Sequence, residues 1–593
     1  MAVRSGAMHV ARNKRTYVAK SGERRVYESV LVRRTFRDGG KVRHETLANL
    51  SALPAEAVAA IEATLKGERL VPAARAVTIT ASLPHGHVAA VAAMAGKLGL
   101  PGLLGPACRQ RDLALALVIS RVVRPGSKLS TRSWWDDTTL GADLEVAGAS
   151  TDEIYAAMDW LAHRQDAVEA GLARRHLGPA ADPARMALFD LSSSWLEGTR
   201  CPLAARGYSR DGKKGRLQIE YGLLTDPAGR PVAVRVFPGN TGDPAAFTGI
   251  VQVLRDKFGL GKMVMAGDRG MITSARIAAL NRLDDGTARP DPYGWVTALR
   301  APAIRKLMAD GGPLQLSLFD EQDLAEITSP DFPGERLIAC RNPALAADRA
   351  RKREDLLAAT EKLLAPIAAR VAAGRLSGAA AIGVEAGKVI ARHKTGKHFS
   401  LTITDTRLVI ERDQARIGAE AALDGFYVLR TPVPAEELDA PGVVTAYKNL
   451  KYVERDFRSI KADDLDLRPV FHRLEERVKA HVLICMLACY LTWHLRQAWA
   501  PLTFTDELPP APANPVAPAR RSPAARAKAS HQHDAAGRPY RSFRGLLEHL
   551  ATLTRNQVRF AGAPAAVPML TEPTSAQREA FDLVGVPIPL TLK

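Results

Sequence analysis

Residues 185–300 constrain the fold more than any other stretch of the chain. Residues 186–191 form a short apolar run that ends in Ser192-Ser193-Ser194. Residues 216–224 and 230–237 are strand-like, joined by the turn Asp226-Pro227-Ala228-Gly229. Residues 247–258 carry helical periodicity, 262–266 read as a buried strand, 274–283 as a helix, and 295–299 as another strand. The resulting order is β-β-β-α-β-α-β, an α/β pattern. Acidic residues, Asp190 and Asp268, stand where its first and fourth strands end.

The rest of the 593-residue chain is organised around that block. Residues 15–50 read as strands, with Asp38-Gly39-Gly40 as a turn, and 54–65 as a helix. Residues 86–180 are helical in pattern; Ser150 with Glu153 fits a capping box opening a helix that runs to about Arg174. Residues 300–425 interrupt the core pattern with a long charged helix near 345–374 and strands such as 399–403. A strand at 426–429 and helices to about 500 follow. The Pro-, Ala- and Arg-rich stretch 507–539 reads as a linker, with an amphipathic segment at 543–553. The expected divisions are 1–80 (basic β unit), 81–182 (helical region), 183–299 and 426–506 (two parts of one core), 300–425 (insertion), 507–542 (linker) and 543–593 (tail).

Charge indicates the partner. The net charge is +19. Residues 1–50 hold twelve Lys/Arg against four Asp/Glu, and residues 520–544 hold seven against one. Basic ends around a more balanced middle suit a chain that embraces nucleic acid. The longest apolar run, 482–491, is too short for a bilayer span. No secretory signal pattern opens the chain. Five scattered cysteines give no disulfide framework. The expectation is a cytoplasmic protein, nucleoid-associated when bound to DNA, with no membrane partner.

Asp190 and Asp268 each adjoin buried strand residues, and a desolvated carboxylate needs a partner. A divalent metal is one such partner; a helix cap or turn is the alternative for an Asp in that position. A third acid lies in residues 442–462. Ala446, Leu450, Val453, Phe457 and Ile460 form an apolar stripe at 3–4 spacing. Tyr447, Lys451, Glu454, Arg458 and Lys461 form a polar stripe one residue on. Glu454 thus borders the buried face with cations one turn to either side. A solvated helix face with i,i+4 ion pairs has the same pattern.

The motif Phe189-Asp190-Leu191-Ser192-Ser193-Ser194-Trp195-Leu196-Glu197-Gly198, the 207–215 loop, Val236-Phe237-Pro238-Gly239-Asn240-Thr241 and Asp268-Arg269-Gly270-Met271 resemble DDE insertion-sequence transposases. The branch they are most similar to is the insertion-sequence-four (IS-four) superfamily. Its signature places Tyr, Arg, Glu and Lys where this chain has Tyr447, Leu450, Glu454 and Lys461. Leu450 departs from the pattern. The resemblance implies an α/β fold with an RNase H-like mixed-sheet core, a mainly β insertion before the Glu-bearing helix, an N-terminal basic β unit and a helical DNA-binding region. It implies Asp190, Asp268 and Glu454 as catalytic residues and metal ligands for two Mg²⁺ (or Mn²⁺) ions. Such a pair, about 3.5–4 Å apart, serves in-line displacement at phosphorus. Tyr447, Lys451, Arg458 and Lys461, with Arg210, Lys213 and Lys214, are the expected DNA contacts. The implied partners are double-stranded transposon ends and target DNA, with a homodimer in the paired-end complex. The alternatives are a structure-selective nuclease and a defective DNA-binding copy.

Other patterns carry less. Gly207-Tyr208-Ser209-Arg210-Asp211-Gly212-Lys213 approximates a phosphate-binding P-loop, but Lys214 replaces its Ser/Thr and a strand follows instead of a helix. His481, Cys485 and Cys489 share one helical face among apolar residues and read as core. His85/His87 and His531/His533 stand too isolated to bind metal alone. Trp195 and Trp295 lie nearest the candidate acids and read as core packing.

Overall fold

A computed structural model describes residues 6–68, 76–178, 186–258, 263–273, 277, 281, 287, 293–309, 311–320, 322–561 and 563–592. The chain forms two compact units: 1–82 with 555–570, and 83–554 with 571–593.

In the first unit, β1 (Ala7–Val18) pairs antiparallel with β2 (Arg24–Asp38), and β2 with β3 (Lys41–Asn49). The β2–β3 hairpin closes at Asp38↔Lys41. Gly39 and Gly40 there have φ of 56° and 84°, the left-handed pair a tight two-residue hairpin turn needs. Helix Ala55–Leu65 follows, and Val32, Leu50 and Val58 make a small core. A further sheet joins β4 (Val77–Pro84) to strands Thr554–Phe560 and Val567–Leu570.

The second unit is mixed α/β. Its eight-stranded sheet contains β5 (Met186–Trp195), β6 (Gln218–Thr225), β7 (Pro231–Pro238), β8 (Val264–Ala266), β9 (Gly294–Ala298), β10 (Leu324–Ile327) and β11 (Arg336–Arg341). After the separate hairpin of β12 (Phe399–Ile403) and β13 (Leu408–Arg412), β14 (Phe426–Thr431) returns to it. The order is β10-β11-β14-β9-β8-β5-β6-β7. Strand β5 is antiparallel to β6 and parallel to β8; β6–β7 is antiparallel and β8–β9 parallel. Gly222 on β6 allows the ring of Phe189 to lie across that strand, since a Cβ there would sit 2.4 Å from the Phe189 ring. The helix expected at 274–283 falls mostly outside the described residues.

Several expectations change. Residues 300–425 are not mainly β. They hold helices Ala301–Leu307, Pro343–Ala372, Ala379–His393 and Gln414–Ala421, because alanine with Arg, Lys and Glu favours helix. Two of their strands, β10 and β11, extend the main sheet. The capping box is present, with Glu153 N donating to Ser150 Oγ at 3.1 Å and Ser150 N to Glu153 Oε2 at 2.8 Å. Its helix stops at His163, and a second one, Gln165–His176, follows. The helical region shares one core with the sheet, so much of its surface is buried rather than free to meet DNA: helix Arg109–Val123 is buried from Leu113 onward. The 507–542 stretch is not a free linker. It forms helix Pro523–His531, and the buried Val516 carbonyl accepts from Asn342 Nδ2 at 2.9 Å and Lys448 Nζ at 2.7 Å.

Helix Glu475–Ala498 is long and apolar enough to cross a membrane, yet 83% of that window is buried inside the protein. It is the core helix, packed against β7 and helices Arg109–Val123 and Thr151–His163. His481, Cys485 and Cys489 lie within it, and His481 Nδ1 is 3.2 Å from the buried Lys128 Nζ.

Candidate active site

The parallel pairing of β5 and β8 brings the first two acids to one side of the sheet. Leu188 on β5 is in register with Ala266 on β8, so Asp190 lies two residues beyond the pairing and Asp268 two residues beyond the end of β8. Asp190 is not at a strand end as expected. Strand β5 continues to Trp195, because its serines find partners inside the protein. Arg210 N donates to Ser193 Oγ at 3.0 Å, and Ser194 Oγ meets Tyr221 Oη at 3.0 Å. After β8 the backbone turns: Met271 N and Ile272 N donate to the Asp268 carbonyl, at 3.0 and 3.2 Å.

The third acid arrives on a helix laid over β5 and β6. Asp439 caps helix Ala440–Lys448, accepting from Gly442 N at 2.8 Å. Asn449 separates it from helix Leu450–Arg458 and donates from Nδ2 to Pro227 O at 3.1 Å. Ala446, Val453, Phe457 and Ile460 are buried, as the apolar stripe predicts; Leu450 is half-buried and faces the cleft. Phe457 packs edge-on against Tyr221, centroids 5.6 Å apart.

These elements enclose a cleft of about 530 Å³ lined by Asp190, Asp268 and Glu454. Asp268 and Glu454 are exposed, while Asp190 sits deeper. Burial pushes the Asp190 carboxyl up to about 7; the Leu191 N–H and Arg210 oppose this, and Glu454 and Asp268 add to it. Asp190 therefore feels the other two carboxylates. Glu454 makes no ion pair among the described residues, so the i,i+4 pairs of a solvated face are not formed.

Oxygen-only acids suit a hard divalent cation. Beyond Arg210, such a cation would supply further positive charge beside a carboxylate that has two like-charged neighbours. As placed, the acids are not a closed cage: among the described residues no three His, Cys, Asp or Glu side chains are grouped to hold a metal ion.

The expected DNA contacts divide. Lys213, Lys214, Lys451 and Arg458 are exposed, and Lys213 Nζ lies 5.5 Å from the Trp195 ring centre. Tyr447 does not reach outward to a phosphate; its hydroxyl donates to Asp268 Oδ1 at 3.3 Å. Arg210 turns inward, its guanidinium 3.4 Å from the buried Glu220 carboxylate, which needs a cation there. Lys461 is corrected most. A π-helical turn, Ser459–Asp463, shifts it off the polar stripe, and it is buried against Asp211 at 2.9 Å. Trp295 is buried in the core; Trp195 is half-buried between Lys213 and Arg468.

Sequence reasoning did not single out Arg269, Arg349 or Lys448, which also line the cleft. Arg269 had a signal, as it follows Asp268 directly. Arg349 comes from the insertion, and no local pattern places it there.

Residues 15–73 match the profile described as the IS1634 family transposase N-terminal domain. The match does not reach the Glu454 helix. No curated protein matches the chain. Among solved structures, a cryo-EM structure of a piggyBac transposase synaptic complex with hairpin DNA aligns at 10% identity and a TM-score of 0.31. That alignment covers 74% of this chain and 70% of the other, and at that score it carries no weight for fold or site. The N-terminal segment of the chain is thus similar to the N-terminal domain of IS1634 family transposases.

Proposed function

We propose that the protein is a DDE transposase that binds the terminal inverted repeats of an insertion sequence, cuts DNA and joins strands. The observation that carries this reading is the convergence of Asp190, Asp268 and Glu454, from three separate elements, on one open cleft rimmed by Arg269, Arg349 and Lys451. The match at residues 15–73 supports it independently. The order β7-β6-β5-β8-β9, two antiparallel pairings then two parallel ones, supports an RNase H-like core.

Asp190, Asp268 and Glu454 would hold Mg²⁺ or Mn²⁺ as two ions, which when bound supply in-line phosphoryl displacement with a clamp on the attacking and leaving oxygens. The chain's own residues do the rest. Tyr447 orients Asp268 through its hydroxyl. Arg210 offsets charge near Asp190. Lys451, Arg458, Lys213 and Lys214 attract the DNA backbone and set its position without reading sequence. The basic first unit recognises the ends, and two copies pair them.

The test is strand transfer. Purified protein, Mg²⁺, a duplex carrying the element's terminal repeat and a target plasmid should yield end-joined plasmid. Cleavage without joining would make the protein a nuclease, and neither product would remove the reading.

A further inference from the structure

A second cavity, about 620 Å³, lies in the insertion and adjoins the cleft; the two share Ala301, Arg349 and Leu423 in their walls. Its chemistry is cationic. Arg305, Arg349, Lys352, Arg353, Lys394 and Lys397 line it, against the two carboxylates of Glu420 and Asp424. Those carboxylates are already engaged: Asp424 pairs with Arg353, and Glu420 with Lys397 and His398. Lys352 also has a partner, Asp348 at 2.8 Å. Arg305, Arg349 and Lys394 have no ion pair among the described residues, and all three are exposed. His393, also in the wall, has a buried Nε2 without a hydrogen-bond partner among the described residues. Lys394 projects from a left-handed position, φ 54°, at the C-terminal end of helix Ala379–His393. Uncompensated cations gathered around a groove raise the local concentration of a polyanion.

We infer that this groove binds the phosphodiester backbone of the same DNA whose scissile phosphate sits at the carboxylate cleft. It thus extends the DNA track into the insertion, and rests on the functional reading above. Arg349, at the junction, meets the backbone as it leaves the cleft. Arg305 and Lys394 meet phosphates further along. The groove offers charge and no matched donor–acceptor pattern, so it binds DNA without sequence preference.

The experiment compares wild type with the Arg305→Gln/Lys394→Asn double variant; Asn tolerates the left-handed backbone. Fluorescence anisotropy follows binding of a labelled duplex oligonucleotide, and of its single strand, across a salt series. Both side chains are exposed, so thermal melting should be unchanged. The expected result is a log–log salt slope reduced by about 1.8 for duplex, or about 1.4 if the groove takes a single strand. The Lys362→Gln/Arg375→Gln variant removes equal charge from the insertion without touching the groove, and should keep the wild-type slope. An unchanged slope in the groove variant, or an equal loss in both, would overturn the groove while leaving the functional reading intact. Wild-type protein that neither binds DNA nor nicks it with Mg²⁺ would remove the functional reading and the groove together.

Discussion

Lys461 Nζ donates to Asp211 Oδ1 at 2.9 Å, across 250 residues of sequence, and Arg468 joins the same carboxylate. The Asp211 side chain is 1% exposed. This pairing fixes the 207–215 loop to the turn that ends the Glu454 helix. A sequence that approximates a P-loop is thereby anchored by buried ion pairs.

Asp211→Ala would leave two cations facing each other without their shared carboxylate. Breaking a buried pair in this way costs about 3–5 kcal/mol. Urea unfolding should show that loss as a lower midpoint with an unchanged slope. Lys461→Ala should also lower stability, yet leave the salt slope of DNA binding at the wild-type value. A slope reduced by about one unit in Lys461→Ala would return that lysine to the DNA surface.

Leu450 faces the cleft and is half-buried. Leu450→Arg can therefore extend its guanidinium into the cleft while its stem covers the apolar surface Leu450 covers now. The variant should fold, bind DNA more tightly, and raise the salt slope by about 0.9. A large fall in melting temperature instead would show that the site cannot release Leu450 from the apolar stripe.

His87 gives a prediction about acid. It packs edge-on to Trp134, ring centroids 6.1 Å apart, and its Nδ1 is buried without a partner among the described residues. Burial, with His85 beside it, lowers its imidazole to about 4. A histidine depressed in the folded state contributes stability that is full above its unfolded value, about 6.5, and is lost as pH falls towards 4. His87→Phe removes that dependence. Its stability relative to wild type should improve by about 2 kcal/mol between pH 7 and pH 5, measured by urea denaturation at both. A constant difference would mean that the His87 imidazole binds protons equally well in the folded and unfolded protein.

The sheet was legible in the sequence wherever a strand was apolar and bounded by a turn. The Asp226-Pro227-Ala228-Gly229 hairpin and the short strand before Asp268 are examples. The full length of strand β5 is hidden in the sequence because three serines resemble a loop, and only the fold gives Ser193 and Ser194 their partners, Arg210 N and Tyr221 Oη. The Glu454 helix was legible from its two stripes as far as Arg458. Beyond it, the π-helical turn breaks the 3.6-residue period, so the helical stripe does not predict the face on which Lys461 lies. Arg349 and the groove beside it depend on how the insertion packs, which no local periodicity encodes. The 507–542 stretch has linker composition, yet its carbonyls are fixed by Asn342 and Lys448, partners distant in sequence.

The most direct measurement is Mg²⁺-dependent cleavage of terminal-repeat duplex by Asp190→Asn, Asp268→Asn and Glu454→Gln, each beside a gel shift on the same DNA. Each variant should bind the ends within about twofold of wild type, roughly 0.4 kcal/mol, and yield no cleaved product. Cleavage at the wild-type rate by any one of the three would contradict the shared carboxylate site.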